Sequence, residues 1–146
     1  MAEMTIKTRD FGEITVADSE VLEFARPIYG FEQLRRFVLL SDESIGKDLV
    51  WLQSIEDEEI CFILVNPLIS VPSYAPHISG DIQIALGKGG LVPWCIAIIA
   101  ADFKESTLNL KSPIIINPFT KLAAQIVLEE EYPIRQRILP QDTGVN

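Results

Sequence analysis

The sequence predicts a mainly β, single-domain fold: an antiparallel, β-barrel-like structure with one or two short helices. Three observations lead there. Short apolar runs, several alternating with a period of two, are punctuated by turn residues. The repeated helical patterns that parallel βαβ units need do not occur. The chain's 146 residues fit one domain on a prior of ~100–200 residues each, and closing its sheet would limit exposed edges.

Taken in order, Thr5 to Thr8 and Glu13 to Val16 form the first strand pair. They are joined through Arg9-Asp10-Phe11-Gly12, whose Asp and Gly suit a tight connection. Ile14 and Val16 share a face, as strand periodicity requires. Phe31-Glu32-Gln33-Leu34 reads as one helical turn after Gly30, with Phe31 and Leu34 three residues apart. Strands follow at Phe37 to Leu40, Val50 to Ile55 and Ile60 to Val65. Ser79 to Leu86 predicts a short helix, with Ser79 as N-cap, Asp81 in the first turn and Gly87 as the stop.

Trp94 to Ala101 is almost continuously apolar, which predicts a strand covered on both faces or turned to a barrel interior. Thr107 to Lys111 alternates, with Leu108 and Leu110 inward. Ile114 to Ile116 and Leu122 to Leu128 follow, the latter with Leu122, Ala124, Ile126 and Leu128 on one side. Tyr132 to Arg137 reads as an edge strand whose Pro133, Arg135 and Arg137 discourage unwanted pairing. The domain is assigned to residues 1–139, and 140–146 to a loose tail with no apolar anchor before Val145.

Composition narrows the function. A chain that is 48% hydrophobic and 23% charged packs as a globule rather than staying disordered. Twelve Lys and Arg against 21 Asp and Glu leave a formal net charge of −9. Nucleic-acid binders need the opposite balance to displace counterions from phosphates, so direct nucleic-acid binding is disfavoured and a basic protein partner is favoured. Met1-Ala2-Glu3-Met4 does not open a secretory signal. The longest uncharged apolar stretch, Leu91 to Ala101, is far short of the ~20 residues of a membrane span. Cys61 and Cys95 lie inside apolar runs without CxxC spacing, as small buried hydrophobes do. A cytoplasmic protein that does not engage membranes is expected.

Candidate chemistry is sparse. His77 is the single histidine, in the loop-like Pro76-His77-Ile78, so a histidine-based metal site would need unusual help. No G-x-S-x-G elbow presents a serine, and apolar surroundings raise the pKa of both thiols. Leu86-Gly87-Lys88-Gly89-Gly90 invites a phosphate-loop reading, but Gly89 stands where Ser or Thr must follow the lysine. No cofactor or metal is expected. The enzymatic alternative is a small hydrolase or ligand-binding barrel centred on His77, which demands a pocket with an acid within ~3 Å reach.

Two acidic clusters remain, Glu56-Asp57-Glu58-Glu59 and Glu129-Glu130-Glu131. As plain surface they are solvated turns that maintain solubility. As function they suit long-range attraction of a basic protein, because consecutive acids in a turn lack the desolvation that splits catalytic carboxylate pairs.

A set of ordered landmarks then points further: Phe11-Gly12-Glu13-Ile14, Ile28-Tyr29-Gly30-Phe31-Glu32, Phe37-Val38-Leu39-Leu40, Trp51-Leu52-Gln53-Ser54-Ile55-Glu56-Asp57 and Asn66-Pro67. Leu108-Asn109-Leu110, Ser112 to Asn117, Ala124 to Leu128 and Tyr132-Pro133-Ile134-Arg135 continue the series. With these the sequence resembles the bacterial flagellar assembly factor FliW family over Ile6 to Leu139. Pro27 and Gln136 depart from the family pattern, and Ser73 to Gly90 matches it poorly. The resemblance implies a non-enzymatic, cytoplasmic, barrel-like protein that binds the translational repressor CsrA, relieving repression of flagellin translation, and also binds flagellin in a partner switch. It assigns no contact residues. Charge reasoning nominates Glu56, Asp57, Glu58, Glu59, Glu129, Glu130 and Glu131 as partner-binding residues that steer the basic repressor. An apolar groove or exposed strand edge is expected for flagellin.

Overall fold

The computed structural model describes residues 2–139; the tail assigned to 140–146 lies outside them. A hairpin comes first, β1 (Glu3–Lys7) antiparallel to β2 (Glu13–Ala17). The main sheet contains β3 (Leu22–Arg26), β4 (Arg36–Asp42), β5 (Gly46–Ser54) and β6 (Cys61–Val65). After helix α1 (Gly80–Leu86) come β7 (Val92–Ile98), β8 (Thr107–Leu108), β9 (Ile114–Asn117), β10 (Leu122–Gln125) and β11 (Gln136–Arg137). Hydrogen-bonded neighbours run β7-β6-β5-β4-β3-β10-β9, and β9 pairs back onto β7. That closes a seven-stranded barrel, with β8 and β11 extending from β7 outside the ring.

One seam corrects the antiparallel expectation. β10 runs parallel to β3, whereas the other ring neighbours are antiparallel. An odd number of strands cannot alternate direction all the way round a closed ring, so at least one parallel pair is unavoidable. The pairing shifts register between Ala123 and Ala124, a local irregularity of the kind that bends a strand.

The core follows from alternation. β3, which the sequence reading missed, buries Leu22 and Phe24 and exposes Glu23 and Ala25. Phe24 and Phe37 meet edge-on at 5.1 Å between ring centroids, and Phe37 is fully buried. Burying such a side chain is worth ~1.5–3 kcal/mol, and the ring geometry adds ~0.5–1.5 kcal/mol. Leu52, Leu64, Ile114 and Ala123 pack into the same cluster, with Ile28, Leu34, Val50 and Ile116. Truncating Phe37 to Ala would cost ~3–5 kcal/mol.

Other expectations held or shifted for local reasons. Helix α1 begins at Ser79, whose Oγ accepts the Ile82 N–H, and gives way at Gly87, with φ of 88°. It buries Ile82 and Leu86 against Ile115 and Ala124. A Cβ at Gly87 would lie 3.0 Å from Thr120 Cγ2, a tight contact, and the positive φ there strains any other residue. Phe31 to Leu34 forms only a turn, with Leu34 N–H donating to the Phe31 carbonyl at 3.0 Å.

Trp94 to Ala101 is not covered on both faces. Cys95 is buried, but Ile98 is 61% exposed, because the end of β7 leaves the ring to pair with β8. Leu108 and Leu110 do point inward, although β8 itself is only Thr107–Leu108. Of the Leu122 to Leu128 run, the regular strand stops at Gln125. Likewise only Gln136–Arg137 of the Tyr132 to Arg137 segment is strand, paired to β8.

Candidate functional site

The first acidic cluster caps the β5–β6 connection. Ser54, fully buried at the end of β5, accepts the Glu56 and Asp57 N–H groups on its Oγ at 3.0 Å each. Gln53, also fully buried, donates from Nε2 to the Glu58 carbonyl at 3.1 Å. These bonds hold the turn rigid while all four acidic side chains remain exposed.

The four carboxylates are not equivalent. Glu56 Oε1 accepts the Arg35 and Arg36 backbone N–H groups at 2.7 and 2.9 Å. The Arg36 N–H, more than any other influence, holds the Glu56 carboxyl below its ordinary pKa, with the Arg35 N–H and the Arg36 charge acting in the same direction. Glu56 therefore clamps the start of β4. Asp57 Oδ1 accepts the Glu59 N–H at 3.1 Å. Glu58 and Glu59 project their charges from a turn stabilised by the others.

The second cluster follows β10 and is likewise divided. Glu129 and Glu131 are exposed, whereas Glu130 is half-buried. Glu130 Oε2 accepts the His77 backbone N–H at 2.9 Å, and its carbonyl accepts Lys111 Nζ at 2.8 Å. A groove of about 470 Å³ lies here, lined by His77, Ser79, Ile82, Ile126, Leu128 and Glu130 among others. His77 is exposed on its rim, and the nearby acid binds the histidine's main chain.

The poorly matching Ser73 to Gly90 region is anchored from below. Tyr74 is buried, donates its hydroxyl to the Leu110 carbonyl at 2.8 Å and meets Tyr132 at 4.7 Å between centroids. The landmark Asn117 is buried and joins two loops. Its Oδ1 accepts the Phe119 and Thr120 N–H groups, and its Nδ2 donates to the Leu86 and Gly87 carbonyls. Phe31 and Trp51 are half-buried, stacking edge-on with Phe62 and Phe11 at 5.0 Å each. Cys61 and Cys95 are buried free thiols; loss of hydration pushes them up to about 11 and about 12. No helix among the described residues is long and apolar enough to cross a membrane.

Sequence reasoning missed three organising residues: Gln53, Gln125, whose Oε1 accepts the Tyr29 N–H at 2.8 Å, and Arg35, whose Nη1 donates to the Phe24 carbonyl at 2.8 Å. Gln53 and Gln125 had one visible signal: a long amide side chain amid apolar strand residues must find partners when buried. Arg35 had none.

Comparisons with known proteins agree with this architecture. The sequence model of the family described as FliW protein matches residues 5–138. A flagellar assembly factor FliW of Ruminiclostridium cellulolyticum is 30% identical over 142 residues, covering 94% of this chain and 96% of the relative. The FliW of Caldicellulosiruptor bescii is 34% identical over 134 residues, 89% of this chain and 87% of that one. A crystal structure of the flagellar assembly factor FliW superposes with a TM-score of 0.86 at 27% identity, covering 94% of this chain and 99% of that chain. With the barrel, its landmarks and these relatives in agreement along nearly the whole length, the chain belongs to the FliW family of flagellar assembly factors.

Proposed function

We propose that this flagellar assembly factor acts in the cytoplasm by occupying other macromolecules, making and breaking no covalent bond. It binds the translational repressor CsrA, which relieves repression of flagellin translation, and it binds flagellin in competition. Accumulating flagellin withdraws the factor, the repressor is freed, and flagellin synthesis falls. The observation that carries this reading is family membership along nearly the full chain, combined with a formal net charge of −9. An RNA-binding repressor carries a basic surface, and an anionic antagonist is drawn toward it.

Glu58 and Glu59, with Glu129 and Glu131, are exposed members of the two clusters whose carboxylates the local hydrogen bonds do not use. They supply the steering, while Glu56, Asp57 and Glu130 hold the backbone that displays them. Exposed ion pairs contribute only ~0–1 kcal/mol each, so steering acts mainly on the association rate and its salt dependence. At fixed concentrations the switch needs a difference of several kcal/mol between the two binding free energies, and less where flagellin concentration changes greatly.

The test is co-purification with the CsrA and flagellin of the same organism, titrating one against the other. Mutual displacement supports the switch. Stable coexistence of all three without mutual weakening, or indifference to both partners, overturns it.

A further inference from the structure

We propose that the segment from Gln125 to Glu130 borders an open strand slot in the barrel wall. The slot takes an extended, basic peptide segment of a protein partner by strand addition. The inference rests on the reading of this chain as a protein-binding factor, and adds the surface and the chemistry it selects.

The slot arises where one strand loses a neighbour. β10 lies between β9 and β3. Past Gln125 the chain stays hydrogen-bonded toward the β9 side: Ile126 N–H donates to the Pro113 carbonyl at 3.1 Å and Leu128 N–H to Lys111 at 2.9 Å. Backbone groups alternate sides along a strand, so the Val127 N–H and carbonyl face the β3 side. There β3 has ended at Arg26. Pro27 offers no N–H, and the chain turns away, with Phe31 N–H closing onto the Ile28 carbonyl at 2.9 Å. Gln125 fills part of the gap by accepting the Tyr29 N–H on Oε1 at 2.8 Å. Beyond it, Val127 is 53% exposed.

The space left is a trough. The groove of about 470 Å³ at His77 and a second of about 360 Å³ at Arg26, Tyr29 and Glu32 share Ser79, Ile82, Ile126 and Val127 in their walls. Helix α1 forms one bank and the Tyr29 turn the other, with Ile82 and Ile126 supplying apolar surface between them. Main-chain bonding at a free edge with pockets for alternate side chains is the geometry of strand addition. Charge selects the occupant. Glu32, Glu129 and Glu130 line the trough against the single guanidinium of Arg26, which favours Lys or Arg on the incoming strand. A second copy of this chain would set acidic rim against acidic rim.

The probe is a fluorescein-labelled Lys-Val-Lys-Val-Lys-Val-Lys peptide, followed by anisotropy. Amide exchange of the protein is followed in the same samples. The slot predicts saturable binding and slowed exchange at Val127. Glu-Val-Glu-Val-Glu-Val-Glu, the Lys-Val peptide N-methylated at alternate amides, and the Glu129→Lys protein should each bind roughly tenfold more weakly or worse. The N-methylated peptide leaves the protein unaltered, so a folding defect cannot mimic its effect. No binding, equal binding of the N-methylated peptide, unchanged exchange at Val127, or dimerisation through this edge overturns the slot. The outcomes also separate the two readings. CsrA and flagellin binding without peptide binding removes the slot alone; peptide binding without either partner removes the switch alone.

Discussion

The buried side-chain amide of Gln53 accepts the Arg9 backbone N–H on Oε1 at 2.9 Å, across 44 residues of sequence. This bond ties the β1–β2 hairpin to the barrel wall, and Arg9 Nη1 reinforces it by donating to the Cys61 carbonyl at 2.8 Å. The same Gln53 amide donates to the Ser54, Glu58 and Ile60 carbonyls at 3.0, 3.1 and 3.3 Å. One side chain therefore anchors the hairpin and shapes the acidic turn.

Gln53→Leu keeps much of the volume but leaves the Arg9 N–H without its acceptor. A loss of ~2–4 kcal/mol is expected from a buried polar network deprived of its hub. Urea unfolding measures it. A loss below ~0.5 kcal/mol, the range of ordinary surface substitutions, would show that the amide does not hold the hairpin.

Glu56→Gln should destabilise the protein at neutral pH, with the difference shrinking in acid. The folded-state pKa of Glu56 is depressed chiefly by the Arg36 N–H. Such a group binds fewer protons when folded, so its contribution is present above the unfolded value, near 4.5, and is lost as pH falls through the lower folded value. Urea midpoints measured against pH for both proteins check this. A difference that stays constant from neutral pH down to 3 would contradict it (~3 being below the ordinary glutamate range).

Glu58→Lys with Glu59→Lys should slow association with CsrA and flatten its salt dependence. Stability should move by no more than ~0.5 kcal/mol, because neither carboxylate is used by the turn's hydrogen bonds. Stopped-flow mixing across a salt series provides the measurement. An unchanged rate and salt slope would remove this turn from the steering surface.

Cys61 and Cys95 should react slowly with a thiol reagent at pH 8 in the native protein and rapidly once it is unfolded. Burial holds the thiols at about 11 and about 12, so little thiolate exists to attack. Fast labelling of Cys95 in the native state would show that its part of the core opens readily.

Much of the architecture was legible from local pattern. The Ser79 cap and Gly87 stop of α1, the inward Leu108 and Leu110, and the acidic β5–β6 turn all follow from neighbours a few residues apart. β3 was missed although Leu22 and Phe24 alternate with Glu23 and Ala25, because two apolar positions within five residues make a weak periodic pattern.

By itself, the sequence determined most strand positions (though not β3 or the exact strand ends), the helix cap, the anionic balance and the family landmarks, since each depends on residue type and short spacing. Only the tertiary structure decided how the ring closes, where its parallel seam lies, and which side of the chain beyond Gln125 keeps hydrogen-bonded partners. It also decided which acids are engaged: Glu56 meets Arg35 across 21 residues, and Glu130 meets His77 across 53. Periodicity and composition are local properties, whereas a strand's partner or a carboxylate's donor depends on chain segments that only folding brings together.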